Sequence, residues 1–356
     1  MRKFNYFENY KVPRPAEGSK IEQLPKAQKA PKEDEEPWVK PLINALRDLF
    51  NQVFDLTPGE DLGAAAYYVY FIKKFPINYK NMKAEVKIAY KSFKDIHLRS
   101  GRDELLRCGL IAKTLPCEEE ESRDIFDREA YLPVHPLAIY NLHYKDLEAQ
   151  LGPEVVKTFK YKFNKLGEKY DKHFNCESLR KSCRKTYITK DGKSVSSSNI
   201  TVYYSGMWVI YLLLGSMQGI DKPKAHMVLS GIRIFDEYID FYSKLLDSDL
   251  NIELLLLRSD KDQIPKVKEI KSKYSAKFDA RYANTESNMT NRMTILESAF
   301  ALDGRKMLPL RRQEPSYSGT MYFDDACINM IRNIFQNTWK NGIKLDKVED
   351  YLDRNP

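Results

Sequence analysis

The chain has 356 residues, 42% of them hydrophobic, and a formal net charge of +8. That length can bury a substantial core in one large domain or two ordinary ones, and the charge suggests an anionic partner. Five cysteines at wide spacing, Cys108, Cys117, Cys176, Cys183 and Cys327, argue against a disulfide framework, and the N-terminal MRKFNYFENYKVPRP lacks the apolar run of a secretory signal.

Residues 1–37 carry Pro13, Pro15, Pro25, Pro31 and Pro37 among charged residues without apolar periodicity, so an extended N-terminal arm is expected. From Trp38 onward the spacing is helical. Leu42, Leu46, Leu49, Phe50, Val53 and Phe54 recur at three and four. Further helices are expected over Asp61 to Phe75, Asn81 to Leu98 with a stop at Ser100-Gly101, and Arg102 to Lys113. The run Glu118 to Glu121, continuing to Asp124, Asp127 and Glu129, reads as a solvated loop or first helical turn, because neighbouring glutamates diverge around a helix and converge poorly on one ion.

Tyr131 to Pro136 reads as a loop, followed by a helix to Leu151, a turn at Gly152-Pro153 and a long basic helix from Glu154 to Phe174. Asp191-Gly192 between β-prone flanks predicts a hairpin over 186–195, the one sheet-like element expected. Thr201 to Gln218 is the longest nearly uninterrupted apolar run and predicts a buried central helix. Its strongly apolar part, Val202 to Leu214, is shorter than the roughly 18 to 20 residues a membrane span needs, so no membrane partner is expected. Gly206 and Gly215 fit places where neighbouring helices approach closely.

Pro223 opens an expected helix to about Leu246. Leu250 to Leu257 reads as a short buried helix, Pro265 as the start of a helix bearing Lys266, Lys268, Lys271, Lys273 and Lys277, and Asn288 to Leu302 as another helix. Arg305 to Gly319 reads as a basic loop. Tyr322 to Lys340 predicts an amphipathic helix, with a short tail helix after it. The fold expected is therefore mainly α: an N-terminal helical lobe over 38–195 that carries the basic segment, a C-terminal helical lobe over 196–356 around the central helix, one small β-hairpin and the arm.

Between Lys157 and Lys193 twelve Lys and Arg face four acids, a net +8 that leaves the rest of the chain neutral. Lys162, Lys165 and Lys169 alternate with Phe159, Tyr161, Phe163, Tyr170 and Phe174, and Arg180, Lys181, Arg184 and Lys185 follow. Cations that neutralise phosphates beside aromatics that stack on bases are what a single-stranded groove requires. The competing account makes the aromatics a core face and the lysines its solvated back. Lys273 in Lys266 to Arg281, and Arg311 and Arg312 with Arg305-Lys306, belong to further basic stretches that could line the same groove.

His173, Cys176 and Cys183 lack the paired spacing of a zinc site, and no phosphate loop, nucleophile elbow or HExxH motif occurs. No catalytic residue, metal or cofactor is assigned.

Asn291-Arg292 followed by Ala299 to Gly304 resembles the late core of flexible filamentous plant-virus coat proteins, where an arginine-bearing helix runs into Leu-Asp-Gly. Asp324-Asp325 falls where such proteins carry a late acidic residue. The resemblance implies an all-helical viral coat or nucleocapsid protein, in the virion or host cytoplasm, that packages single-stranded RNA and self-associates through its N-terminal arm. The chain is longer than a typical member. Two other readings stay open: a metal-dependent enzyme or effector acting on nucleic acid through Asp324-Asp325 or the Glu118 cluster, and a scaffold subunit that touches protein only.

Overall fold

The computed structural model describes residues 95–114, 130–188, 194–218, 220–230, 236–257, 263–283, 292–297, 299–307 and 316–354, with isolated positions between 46 and 86. The arm, the helices expected over 38–75, the Glu118 cluster and the Asp191-Gly192 turn lie outside the described residues.

In chain order the elements are α1 (Asp95–Arg107), β1 (Ile111–Thr114), β2 (Ala130–Pro133), α2 (Pro136–Leu151), α3 (Pro153–Phe174) and α4 (Cys176–Ser182). Then come β3 (Arg184–Ile188), β4 (Ser194–Tyr204), α5 (Gly206–Ser216), β5 (Lys224–Ser230), α6 (Asp236–Asp247), β6 (Asn251–Leu257), α7 (Ile264–Lys273) and β7 (Phe278–Ala283). The chain closes with β8 (Arg292–Leu296), β9 (Phe300–Lys306), β10 (Tyr317–Tyr322), α8 (Asp325–Asn341), β11 (Ile343–Lys344) and α9 (Val348–Arg354). One mixed sheet runs β11-β7-β6-β5-β8-β9-β10-β4-β1-β2, with β3 paired to β4 off this path.

The fold is α/β, which corrects the expectation of a mainly helical chain with a single hairpin. The hairpin exists, with Arg184 to Ile188 opposite Ser198 to Ser194, but it is a small part of the sheet. The expected helices over 223–246 and 250–257 contain β5 and β6, which pair in parallel in register from Lys224↔Asn251 to Ser230↔Leu257. The helix expected over 288–302 is the antiparallel pair β8 and β9. Residues 201–204 belong to β4, so the central helix begins only at Gly206. Ser100-Gly101 does not interrupt α1, and residues 111–114 and 130–133 form a strand pair.

Burial on both sheet faces explains these differences. Alternate residues of β6 point to different cores: Leu255 and Leu257 join Val228, Ala283 and Ile295 beneath α8, whereas Ile252, Leu254 and Leu256 belong to the larger core with Leu245, Val267 and Ile270 of α6 and α7. A strand covered on both sides shows a continuous apolar run rather than alternation. Helix α8 seals its side with Ile328, Ile331, Phe335 and Trp339; fully burying such a side chain contributes about 1.5 to 3 kcal/mol. In α5, Trp208, Ile210, Tyr211, Leu212, Leu213 and Leu214 are all buried, and the Trp208 indole Nε1–H donates to Leu132 O at 3.3 Å. Among the described residues no helix is long and apolar enough to cross a membrane.

A polar cluster around Glu253 sits beneath α8. Glu253 of β6 accepts from Lys224 Nζ at 2.5 Å and His226 Nδ1 at 2.9 Å, and the His226 ring packs on Phe335 with centroids 4.8 Å apart. Burial raises the Glu253 pKa, but these two donors outweigh it and bring the carboxyl down from 4.5 to about 2. A folded-state pKa below the unfolded one means that the stabilisation is complete above about pH 4.5 and disappears as pH falls towards 2. Urea denaturation at stepped pH should show roughly 3 kcal/mol of stability lost across that window, with much of the loss absent in Glu253→Gln. An equally steep acid limb in the variant would assign the effect to other carboxylates.

Candidate functional site

Charged side chains converge at a cavity of about 950 Å³ on the α3 side of the sheet. The last turn of α3 supplies Tyr170, Asp171 and Phe174; α4 and the start of β3 supply Glu177, Arg180, Lys181 and Arg184; β4 supplies Ser196 and Ser198; and the end of α5 supplies Gly215 and Ser216. Pro153 at the first position of α3 and the Asn175 cap of α4, whose Oδ1 accepts from Ser178 N at 2.7 Å, fix where this wall begins and turns.

His135 is built into the opposite side. Its Nδ1 accepts from Leu137 N–H at 3.1 Å, capping α2, so the neutral ring carries its proton on Nε2, which lies 3.3 Å from Asp171 Oδ1. Two helix positions must be small for this. A Cβ added to Gly215 would lie 2.5 Å from His135 Cβ, and one on Gly167 would lie 3.0 Å from His135 Cε1. The close approach at Gly215 is made by His135, the residue that caps α2, rather than by the side of a neighbouring helix as expected.

The charges at the cavity are engaged to different degrees. Arg180 is a structural tie, with Nε donating to Phe323 O at 2.7 Å and a second nitrogen 3.1 Å from Asp325 Oδ1, while Ser198 Oγ donates to Arg180 O at 2.8 Å. Lys181 pairs with Glu177 at 2.7 Å, and this contact leads the causes that hold the exposed Glu177 carboxyl below its ordinary range. Asp324 caps α8 by accepting from Cys327 N at 2.8 Å. Arg184 is exposed and touches Ser196 Oγ at 3.4 Å.

Next to the cavity, α3 presents a solvent face. Phe159, Phe163, Leu166, Tyr170 and Phe174 are buried, so these aromatics are core residues, while Tyr161 is 65% exposed. Lys157, Tyr161, Lys165 and Lys172 lie along one exposed line of the helix, with Lys165 Nζ 6.0 Å from the Tyr161 ring centroid.

No protein-family model matches the chain, and no curated protein matches it in sequence. Solved structures are matched at low similarity. The archaeal chromatin protein TrmBL2, described as showing a novel mode of DNA binding, is 15% identical over 85% of this chain and 99% of its own, with a TM-score of 0.31. Polyphosphate kinase from Porphyromonas gingivalis is 10% identical over 85% of this chain and 69% of its own, with a TM-score of 0.34. Nuc from Salmonella typhimurium, a phospholipase D family member, is 9% identical over 35% of this chain and 83% of its own, with a TM-score of 0.28. Likenesses this distant carry no argument about function.

The residues singled out from sequence divide accordingly. Lys162, Lys165 and Lys169 lie on α3; Arg180, Lys181 and Arg184 gather at the cavity; and Lys185 opposes Ser197 in the β3–β4 pair, its side chain lying outside the described residues. Lys273 sits at the far end of α7, over the Tyr274 ring at 5.0 Å. Arg292 opens β8 opposite Gly304, with its side chain outside the described residues, and Arg311 and Arg312 are outside them altogether. The supposed arginine-bearing helix running into Leu302-Asp303-Gly304 is therefore a strand pair. Among the described residues no three His, Cys, Asp or Glu groups are arranged to hold a metal ion. Sequence reading missed His135, Asp171 and Gly215 as one constellation, because they meet only after α2, α3 and α5 pack.

Burial pushes the thiols of Cys108 and Cys327 up to about 12, with Asp324 adding to the effect at Cys327, which disfavours the thiolate at these two positions. Gly215→Ala should force His135 away from α5 and cost about 1 to 3 kcal/mol, as overpacking does. Chemical denaturation beside Gly152→Ala, where open space surrounds the new methyl but φ is +82°, separates a steric from a backbone cost. A Gly215→Ala variant as stable as wild type would mean that this contact relaxes freely.

Proposed function

We propose that the chain binds single-stranded nucleic acid through the exposed face of α3, without sequence preference. The observation that carries this reading is Tyr161, an aromatic ring left 65% exposed in line with Lys157, Lys165 and Lys172 while its neighbours Phe159 and Phe163 are buried. An exposed ring between cations offers a stacking platform and phosphate contacts together. Lys157 and Lys165 pair with Glu154 and Glu168 at 2.6 and 3.1 Å, but exposed pairs of this kind are worth about 0 to 1 kcal/mol, so a phosphate can displace the carboxylate. Packaging by a coat-type assembly would be a further step, and the strand pairing of residues 292–304 withdraws one of its supports.

Binding of an unstructured oligonucleotide, followed over a salt series, tests this. Lys157→Glu and Lys165→Glu should each lower the magnitude of the logarithmic salt slope by at least about 0.7, and Tyr161→Ala should cost about 1 to 3 kcal/mol at fixed salt. Lys340→Glu, at the exposed end of α8, serves as control. Effects no larger on α3 than at Lys340 would refute the reading, and no binding by folded wild-type protein would favour a protein-only scaffold.

A further inference from the structure

The cavity asks for a ligand different from the one that α3 would bind. Its carboxylates and cations nearly cancel: Asp324 is fixed at the α8 cap and Arg180 on Phe323 O and Asp325, while Glu177 and Lys181 neutralise each other as an exposed pair. Two opposite charges are left lightly engaged. Asp171, with its side chain 61% exposed, has the 3.3 Å approach of His135 Nε2, and Arg184 has the 3.4 Å contact to Ser196 Oγ.

A helix end strengthens this polarity. Helix α5 finishes at the cavity near Ser216 and brings about half a negative charge to the His135 side, next to Asp171, while the end of α3 at Phe174 is offset by the start of α4, which shares the Asn175 cap. Arg184 and Lys181 mark the opposite sign. The same cavity is lined by the apolar surfaces of Tyr170, Phe174, Ile220 and Ala299 and by the hydrogen-bonding groups of Ser198, Ser216 and Gln218. A volume of about 950 Å³ is large for a single amino acid and stands near the top of the ordinary small-ligand range of roughly 300 to 1,000 Å³.

We infer that this cavity binds a dipolar ligand of the size and chemistry of a free di- or tripeptide, its ammonium at Asp171 and its carboxylate at Arg184. The apolar wall receives the side chains, and the serine hydroxyls and Gln218 meet the backbone amides. Arg184 forms a forked pair with a carboxylate more readily than a lysine would.

Calorimetric titration of the full chain with a set of unblocked apolar dipeptides, their N-acetyl forms and their C-terminal amides tests the inference. Saturable binding is expected for at least one unblocked dipeptide, with each block weakening it tenfold or more. Asp171→Asn should abolish the discrimination between free and acetylated amino ends while keeping that between acid and amide; Arg184→Gln should do the reverse. Melting curves confirm that both variants, altered at exposed positions, remain folded. No saturable binding by any unblocked dipeptide, blocks without effect, or variants that weaken all three forms alike would overturn the assignment. Oligonucleotide binding in the same variants reports separately on α3.

Discussion

The structure depends on β4, one strand that hydrogen-bonds to three others. Its first half, Ser194 to Ser198, pairs with β3; its second half pairs with β10 from Asn199 to Tyr204 and with β1 at Val202 and Tyr203. It then passes through Ser205 into the buried helix α5. The strand thereby joins the β1–β2 pair, the basic segment and the C-terminal strands through one ladder. Because successive side chains leave a strand on opposite faces, Ile200, Val202 and Tyr204 turn to the larger core. Ser196 and Ser198 are left beneath α4 as part of the cavity wall.

The cavity exists because that wall cannot close. Helix α4 is held down by Arg180, and α3 and α5 are kept apart by His135, which occupies the space created by Gly167 and Gly215. Tyr170 and Phe174, stacked with centroids 4.9 Å apart, stiffen the end of α3 where the opening begins. The site is thus shaped by tightly packed interactions around it rather than by loose packing.

Local signals made some elements legible. Pro136, Pro153 and Pro265 mark helix starts, Gly152 separates α2 from α3, and the three- and four-residue spacing of Ile328, Ile331, Phe335 and Trp339 reports the buried side of α8. The strands did not announce themselves. Leu254 to Leu257 has the composition of a helix, and only the arrival of β5 and β7 on its two sides gives its backbone groups a different set of partners. Met293, Leu296 and Phe300 show a helical spacing that the turn at Glu297, with φ of 39°, converts into a hairpin. A short apolar run permits either periodicity, and its neighbours decide. The candidate site was legible only as local charge, since its depth comes from residues as distant as His135 and Asp324.

Charge counted along the chain also overstates what a partner can meet. Arg180 and Lys181 are adjacent in sequence, yet Arg180 spends its guanidinium on Phe323 O and Asp325 across the fold, whereas Lys181 is held by a carboxylate one turn away on the same exposed helix. Exchanging that carboxylate for a phosphate replaces one solvated ion pair by another; pulling Arg180 free would leave a carbonyl at the α4–α8 junction without its charged donor, a loss of roughly 1 to 3 kcal/mol. The basic segment therefore contains two kinds of cation. Those that join elements are committed by folding, and those with an intrahelical partner remain available for exchange, which is why the exposed line of α3 supports a nucleic-acid reading better than the denser cluster after it.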